Sequence, residues 1–177
     1  NGNKNLDAAE KELLFSLSKA YDLYNYMLAL IVAVTHEARK HLDVEMARAQ
    51  REKTETPSQK FAFNRFAVQL EENKMLCSFM DTQKKTWDGE PEFVSKLYDQ
   101  IIQSSLYTDY MSDLVDSYDA DKELWRKLYK TFIQYNEDLD AVLEEQSLYW
   151  NDDKEVVDTF VIKTIKRFEA STKSKEE

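Results

Sequence analysis

Glycine and proline are nearly absent, with two of each in 177 residues. Phosphate-cradling loops and nucleophile elbows require glycines at fixed spacing, and Gly2 and Gly89 stand too far apart to supply them. Sandwiches and doubly wound sheets need many more turn residues than this, so the long stretches between breakers read as helix. Cysteine occurs once, at Cys77, which excludes an intramolecular disulfide and fits a reducing compartment, the cytoplasm. Positive charge is in deficit. Against 34 acidic residues stand 24 basic ones, a net charge of −10, the opposite of the footprint of a nucleic-acid-binding domain. Binding to RNA or DNA then has to use a local patch. No basic stretch leads into an apolar run at the start, so no signal peptide is visible. The chain opens at Asn1 without an initiating methionine and is expected to be a portion of a longer protein.

What the chain does have is apolar surface, 42% of residues with 12% aromatic, enough to fill a single core at this length. Its spacing is helical. Leu13, Leu17, Tyr21, Tyr24, Leu28, Ile31, Val34 and Ala38 recur at three- and four-residue steps, which predicts a first helix from Asp7 to Ala49 with one apolar stripe. The polar segment QREKTETPSQK, residues 50–60, reads as a loop. Beyond it, Phe63, Phe66, Ala67 and Leu70 mark one helix, and Leu76, Phe79 and Met80 another. Asp88-Gly89 is a turn, and Pro91 stands where a first-turn proline belongs, before Val94, Leu97, Tyr98 and Ile101. Leu106, Tyr110, Met111 and Leu114 follow. After the acidic turn SYDAD come Leu124, Leu128, Phe132 and Tyr135, and then a helix capped by Asn136 with Leu139, Val142 and Leu143 inward. The last helix starts at Asn151, with Asp152, Asp153 and Glu155 in its first turn and Lys163, Lys166 and Arg167 near its end, the polarity its dipole favours. Its expected buried side is Val157, Phe160, Val161, Thr164 and Phe168. TWDGEPEFVSKL around Trp87 echoes YWNDDKEVVDTF around Trp150, as helix starts do for capping reasons alone. The expected fold is all-α, a bundle of about seven to eight amphipathic helices in a single domain spanning 1–177. It divides at most into a first helix and loop (7–56) and a bundle (57–171), with a solvated tail at 172–177.

The stretch YMLALIVAVTHEARKH, residues 26–41, admits three readings. A membrane span needs about 20 consecutive apolar residues, and the uncharged run from Tyr26 breaks at His36, Glu37, Arg39 and Lys40. A helical zinc motif needs histidines four apart to converge on a metal. His36 and His41 are five apart, about 140° around the helix, so they diverge. The segment is therefore read as the middle of a packed helix, with His36 on a solvated side and His41 at the edge of the stripe. Di-iron bundles need Glu-x-x-His, but Ala33 and Ala38 hold the glutamate positions. A calcium loop starting at Asp119 fails because Leu124 replaces its glycine and Lys130 its bidentate glutamate. Cys77, within MLCSFM, reads as a small core residue. Neither catalysis nor a metal or other cofactor is expected.

Two features point outward. Between Ala38 and Arg65 lie seven basic residues against four acidic ones, so this segment is locally +3. Arg39, Lys40, Arg48, Arg51 and Lys53 are its candidate phosphate-facing residues, with Lys60 and Arg65 completing the set. A solvated helix end and loop is the plainer reading. In addition, Tyr26, Tyr107, Trp125, Tyr129 and Tyr149 stand beside the stripes rather than within them, as aromatic residues at a core rim or a protein interface do.

Three segments carry a resemblance. They are EKELLFSLSKAYDLYNYMLALIVAVTHEARK, TPSQKFAFNRFAVQLEEN, and the run from SLYTDYM through DKELWRKLYKTFIQYNEDLDAVLEEQSLYWNDDKEVVDTFVIKTIKRF. In their order and spacing, from Glu10 to Phe168, the chain resembles the long form of the bacterial NusB family of transcription antitermination factors. The resemblance implies an all-helical protein that binds boxA-type RNA together with NusE, a small-subunit ribosomal protein, so that RNA polymerase reads through terminators. The family's arginine-rich N-terminal stretch and its C-terminal helical repeat have no counterpart here. The chain is accordingly expected to be an N-terminal or central portion that binds RNA weakly by itself. An acidic helical scaffold that binds only protein is the alternative.

Overall fold

The computed structural model describes residues 2–83, 86–146 and 153–168. The tail 172–177, the aromatic pair Tyr149-Trp150 and the expected final-helix start at Asn151-Asp152 lie outside the described residues, and with 149–152 so does the beginning of the second copy of the internal echo. Eight α-helices and no strand occur among the described residues. They are α1 (Gly2–Glu52), α2 (Arg65–Glu71), α3 (Lys74–Gln83), α4 (Pro91–Ile102), α5 (Ser105–Ser112), α6 (Tyr118–Leu128), α7 (Glu137–Glu145) and α8 (Lys154–Arg167). A 3-10 turn, Trp87–Gly89, precedes α4, and a π-turn, Tyr129–Ile133, prolongs α6.

Side chains punctuate these helices where the chain lacks glycine and proline. Asn64, Ser104, Ser117 and Asn136 each accept hydrogen bonds from the first free backbone N–H groups of α2, α5, α6 and α7. Pro91 opens α4, where its missing N–H costs nothing. At the end of α1, Lys53 adopts a left-handed conformation, φ 55°. This turns the chain so that the Thr54 N–H reaches back to the Ala49 carbonyl at 3.0 Å, the closure that normally recruits glycine.

The middle of α1 is the centre of the molecule. Every residue from Asn25 to Val32 is buried, as are Val34, Ala38 and Leu42. The helix packs against α2, α3, α4, α8 and the 3-10 turn. A helix apolar on all sides has to be enclosed on all sides, which accounts for the uncharged run YMLALIVAV. Trp87 seals one side of it, stacking on Tyr26 with ring centres 4.3 Å apart and donating its indole N–H to the Tyr26 carbonyl at 2.9 Å. Buried residues from Leu23 through Ile165 form one continuous core.

The structure corrects several expectations. Tyr26, Trp125 and Tyr129, taken as rim aromatics, are fully buried, because neighbouring helices cover more than one face of α1 and α6. The π-turn shifts the register after Leu128. An extra residue per turn brings Tyr129 and Ile133 inward and leaves Tyr135 exposed. In α8 the inward set is Val157, Asp158, Val161 and Ile165, and Phe160 faces water. Leu114 lies beyond α5 rather than in it and is 99% exposed. Phe63 precedes α2 and is also exposed, and the first third of the α1 stripe, Leu13, Leu17 and Tyr21, is about half exposed rather than buried.

Candidate functional site

The five candidate basic residues all follow from α1. Lys40, Arg48 and Arg51 are exposed, and their spacing places them within about 80° of one another around the helix. With about 1.5 Å rise per residue, they form a stripe about 16 Å long. Val44 lies in the same row, exposed. Glu37 approaches the Lys40 ammonium only to 3.9 Å, a surface separation with little energetic weight. Lys53 extends past the helix end, exposed.

Arg39 is committed elsewhere. Its Nε donates to the Ala62 carbonyl at 3.0 Å, and its Nη1 donates to Glu71 Oε1 and Oε2 at 3.0 and 2.8 Å. The guanidinium also lies over the Phe63 ring, 4.8 Å from its centre. His36 adds a contact from its Nε2 to Glu71. Burial pushes the Glu71 carboxyl up, but hydrogen bonds from Arg39 and His36 outweigh it and hold that carboxyl below its usual value. This cluster fastens α2 to α1. His41 points elsewhere, stacking on Tyr98 with centres 4.7 Å apart and bonding Glu37 at 3.2 Å. The two histidines thus serve different carboxylates, and among the described residues no group of His, Cys, Asp or Glu could hold a metal ion.

The remaining two basic residues of the segment belong to a buried polar junction that sequence reasoning missed. Asn64 and Asp121 are buried at 0% and 2% exposure. Asn64 Oδ1 caps α2 by accepting from Phe66 and Ala67 N–H, while its Nδ2 donates to the Asp121 carbonyl at 3.1 Å. Asp121 Oδ2 accepts from the Arg65 backbone N–H at 2.8 Å, and Oδ1 accepts from the Tyr110 hydroxyl at 2.7 Å. Burial and the Asp121 carboxylate beside it push the Tyr110 hydroxyl pKa well up, so it remains a donor. Lys60 reaches across with its ammonium over the Tyr110 ring, 4.4 Å from the centre. It donates to the carbonyls of Tyr110, Asp113 and Val115 at 2.6, 2.9 and 3.2 Å. The sequence signal was an aspartate three residues before the core position Leu124, which the acidic turn SYDAD concealed.

A second buried polar group joins α8 to the π-turn. The Tyr129 hydroxyl donates to Asp158 Oδ1 at 2.6 Å, and Lys154 Nζ donates both to Asp158 Oδ2 at 2.9 Å and to the Gln134 carbonyl at 2.6 Å. Burial raises the Asp158 carboxyl above its usual value, an effect that Lys154 and Tyr129 partly offset. Each member is satisfied, the condition under which a buried polar network fixes a packing rather than weakening it.

Among the described residues no helix is long and apolar enough to cross a membrane. Comparison of the chain with protein-family models, curated protein sequences and solved structures finds no match.

Proposed function

We propose that this chain is part of a NusB-like transcription antitermination factor, working by RNA and protein binding without catalysis. The observation that carries the reading is the exposed row Lys40, Arg48 and Arg51 on an otherwise acidic chain, which has the spacing to follow phosphates. The sequence resemblance supplies the identity of the RNA and of the protein partner. With Arg39, Lys60 and Arg65 tied to Glu71, backbone carbonyls and Asp116, few phosphates can be neutralised, so affinity for RNA by the chain alone is low.

The test is fluorescence anisotropy of boxA-type RNA with this chain at two salt concentrations, with and without NusE, beside the same RNA with a scrambled sequence. Weak, salt-sensitive binding that tightens with NusE and falls at least threefold on Arg48→Glu/Arg51→Glu is expected. Equal binding to both RNAs, or none in the presence of NusE, overturns the reading. The protein-only scaffold then takes its place, a reading favoured by the exposed apolar faces of α1 and α8.

A further inference from the structure

The row of side chains that α1 buries at its middle runs out into water nearer its start. Leu14, Leu17 and Tyr21 follow one another at steps of three and four residues, and Tyr24, Leu28 and Ile31 continue the same row, the last two buried. With Leu13, the exposed members lie within about 100° of one another around the helix. Val156 and Phe160 of α8 share an open groove with Leu13, Leu17 and Tyr21, and Leu14 borders it on the outer side. All six side chains are between 46% and 60% exposed.

This face is nearly free of charge. Among the described residues that line the groove, only Asp153 is ionisable as an acid or base at neutral pH. Lys19 carries the one charge between Leu13 and Tyr21. It points about 160° away from Leu17, with its ammonium 5.3 Å from the centre of the Phe15 ring. The chain as a whole has a net charge of −10, so two copies repel over most of their surfaces, and here they meet without opposing like charges. Such a groove suits an uncharged apolar ridge, and the chain itself carries one in Leu14, Leu17 and Tyr21. The Tyr24 bond to Thr164 closes one end of the groove, and Asp153 stands about 16 Å from it along the helix rise, at the open end. An antiparallel two-fold arrangement sets the Asp153 of each copy toward the closed, uncharged end of the other groove, and the same surface serves both copies.

The area suffices for a weak pair. Six side chains that each leave roughly 100 Å² in water offer roughly 600 Å² per copy, near the lower bound of about 1,200 Å² in total for a specific contact. A dilute chain is then monomeric with its groove open.

We infer that the groove between α1 and α8 is a self-association surface filled by a second copy of this chain, α1 of each against α8 of the other. It goes beyond the RNA-binding reading and does not depend on it.

The test is analytical ultracentrifugation of the whole chain, without RNA, from about 5 to about 500 µM and in about 0.05 and about 0.5 M salt. A reversible shift from monomer to dimer is expected, half complete on the order of 100 µM. It should be at least threefold tighter at the higher salt, where repulsion between the acidic copies is screened. Leu17→Glu and Phe160→Lys should each stay monomeric throughout, with the circular dichroism spectrum and dilute thermal midpoint of the parent. An equimolar mixture of the two variants should restore the dimer, because one pairing of α1 with α8 is then native and the other joins Glu to Lys. A parent that stays monomeric at every concentration and salt overturns the inference and leaves the groove to a different protein. Association that survives Leu17→Glu, association that grows past the dimer, and a mixture that remains monomeric each overturn it as well.

Discussion

Lys53 occupies the left-handed region, φ 55°, where a side-chain-bearing residue is strained by about 1–2 kcal/mol relative to glycine. Its exposure leaves nothing to be lost by removing the side chain. Lys53→Gly is therefore expected to stabilise the protein by about 1 kcal/mol, after allowance for the greater freedom of glycine in the unfolded chain. Urea unfolding at neutral pH checks it. Glu71 offers a test with the opposite sign. Its carboxyl is held below the usual 4.5 in the folded protein by Arg39 and His36, against the upward push of burial. A carboxylate with a depressed folded pKa stabilises the fold above its unfolded value, and that contribution is lost as pH falls through the folded one. The stability gap between the parent and Glu71→Gln should be widest near neutrality and close as pH drops below about 4.5 toward 3. A gap that stays constant would show that Arg39 holds α2 through Ala62 and Phe63 alone. At this scale the sequence was least informative. It presented Arg39 and Lys60 as members of a charged run, whereas their partners, Glu71 and the carbonyls near Tyr110, lie 32 and 50 residues away.

Elements were more legible than residues, because caps and stripes are local. Asn136, Pro91 and the inward set Val94, Leu97, Tyr98 and Ile101 stand where periodicity and capping chemistry put them. The failures come where the 3.6-residue period is broken or where a stripe has no partner. Leu128, Phe132 and Tyr135 continue a perfect α-helical row; Leu128 is buried as expected, but the π-turn brings Tyr129 and Ile133 into the core, leaves Phe132 half-buried at its edge and turns Tyr135 out. Nothing in YKTFI announces the five-residue spacing. That register has a mutational signature. Ile133→Ala should cost about 2–5 kcal/mol, as for a fully enclosed aliphatic side chain. Tyr135→Ala, at a position 79% exposed, should stay within about 0.5 kcal/mol. The α-helical register inverts the order, so chemical denaturation of the two variants decides between them. Tyr129→Phe belongs with them. It deprives buried Asp158 of a 2.6 Å hydrogen bond and should cost about 1–3 kcal/mol.

Across the whole molecule, α1 is two helices in energetic terms. From Leu23 to Thr35 no residue of it is exposed, whereas Leu13, Leu14, Phe15 and Leu17 are each more than half exposed. These four span about 200° of the helix, so no single neighbour could cover them all. On α8, Val156 and Phe160 are exposed as well, and with Leu13, Leu17 and Tyr21 they line one open apolar groove. The Tyr24 hydroxyl bonds Thr164 Oγ1 at 2.8 Å at the closed end of that groove, so the two helices remain clasped there whatever happens at the open end. Because these side chains are already in water, charged replacements forfeit little burial. Leu17→Glu with Phe160→Lys should shift stability by no more than about 0.5 kcal/mol, while lowering the fluorescence of a hydrophobic dye bound to the native protein and its retention on a hydrophobic column. Losses of several kcal/mol would mean that both side chains are enclosed in solution, and the open groove would then be filled. Unchanged dye binding would place the accessible apolar surface elsewhere, at exposed residues such as Leu114 and Val115.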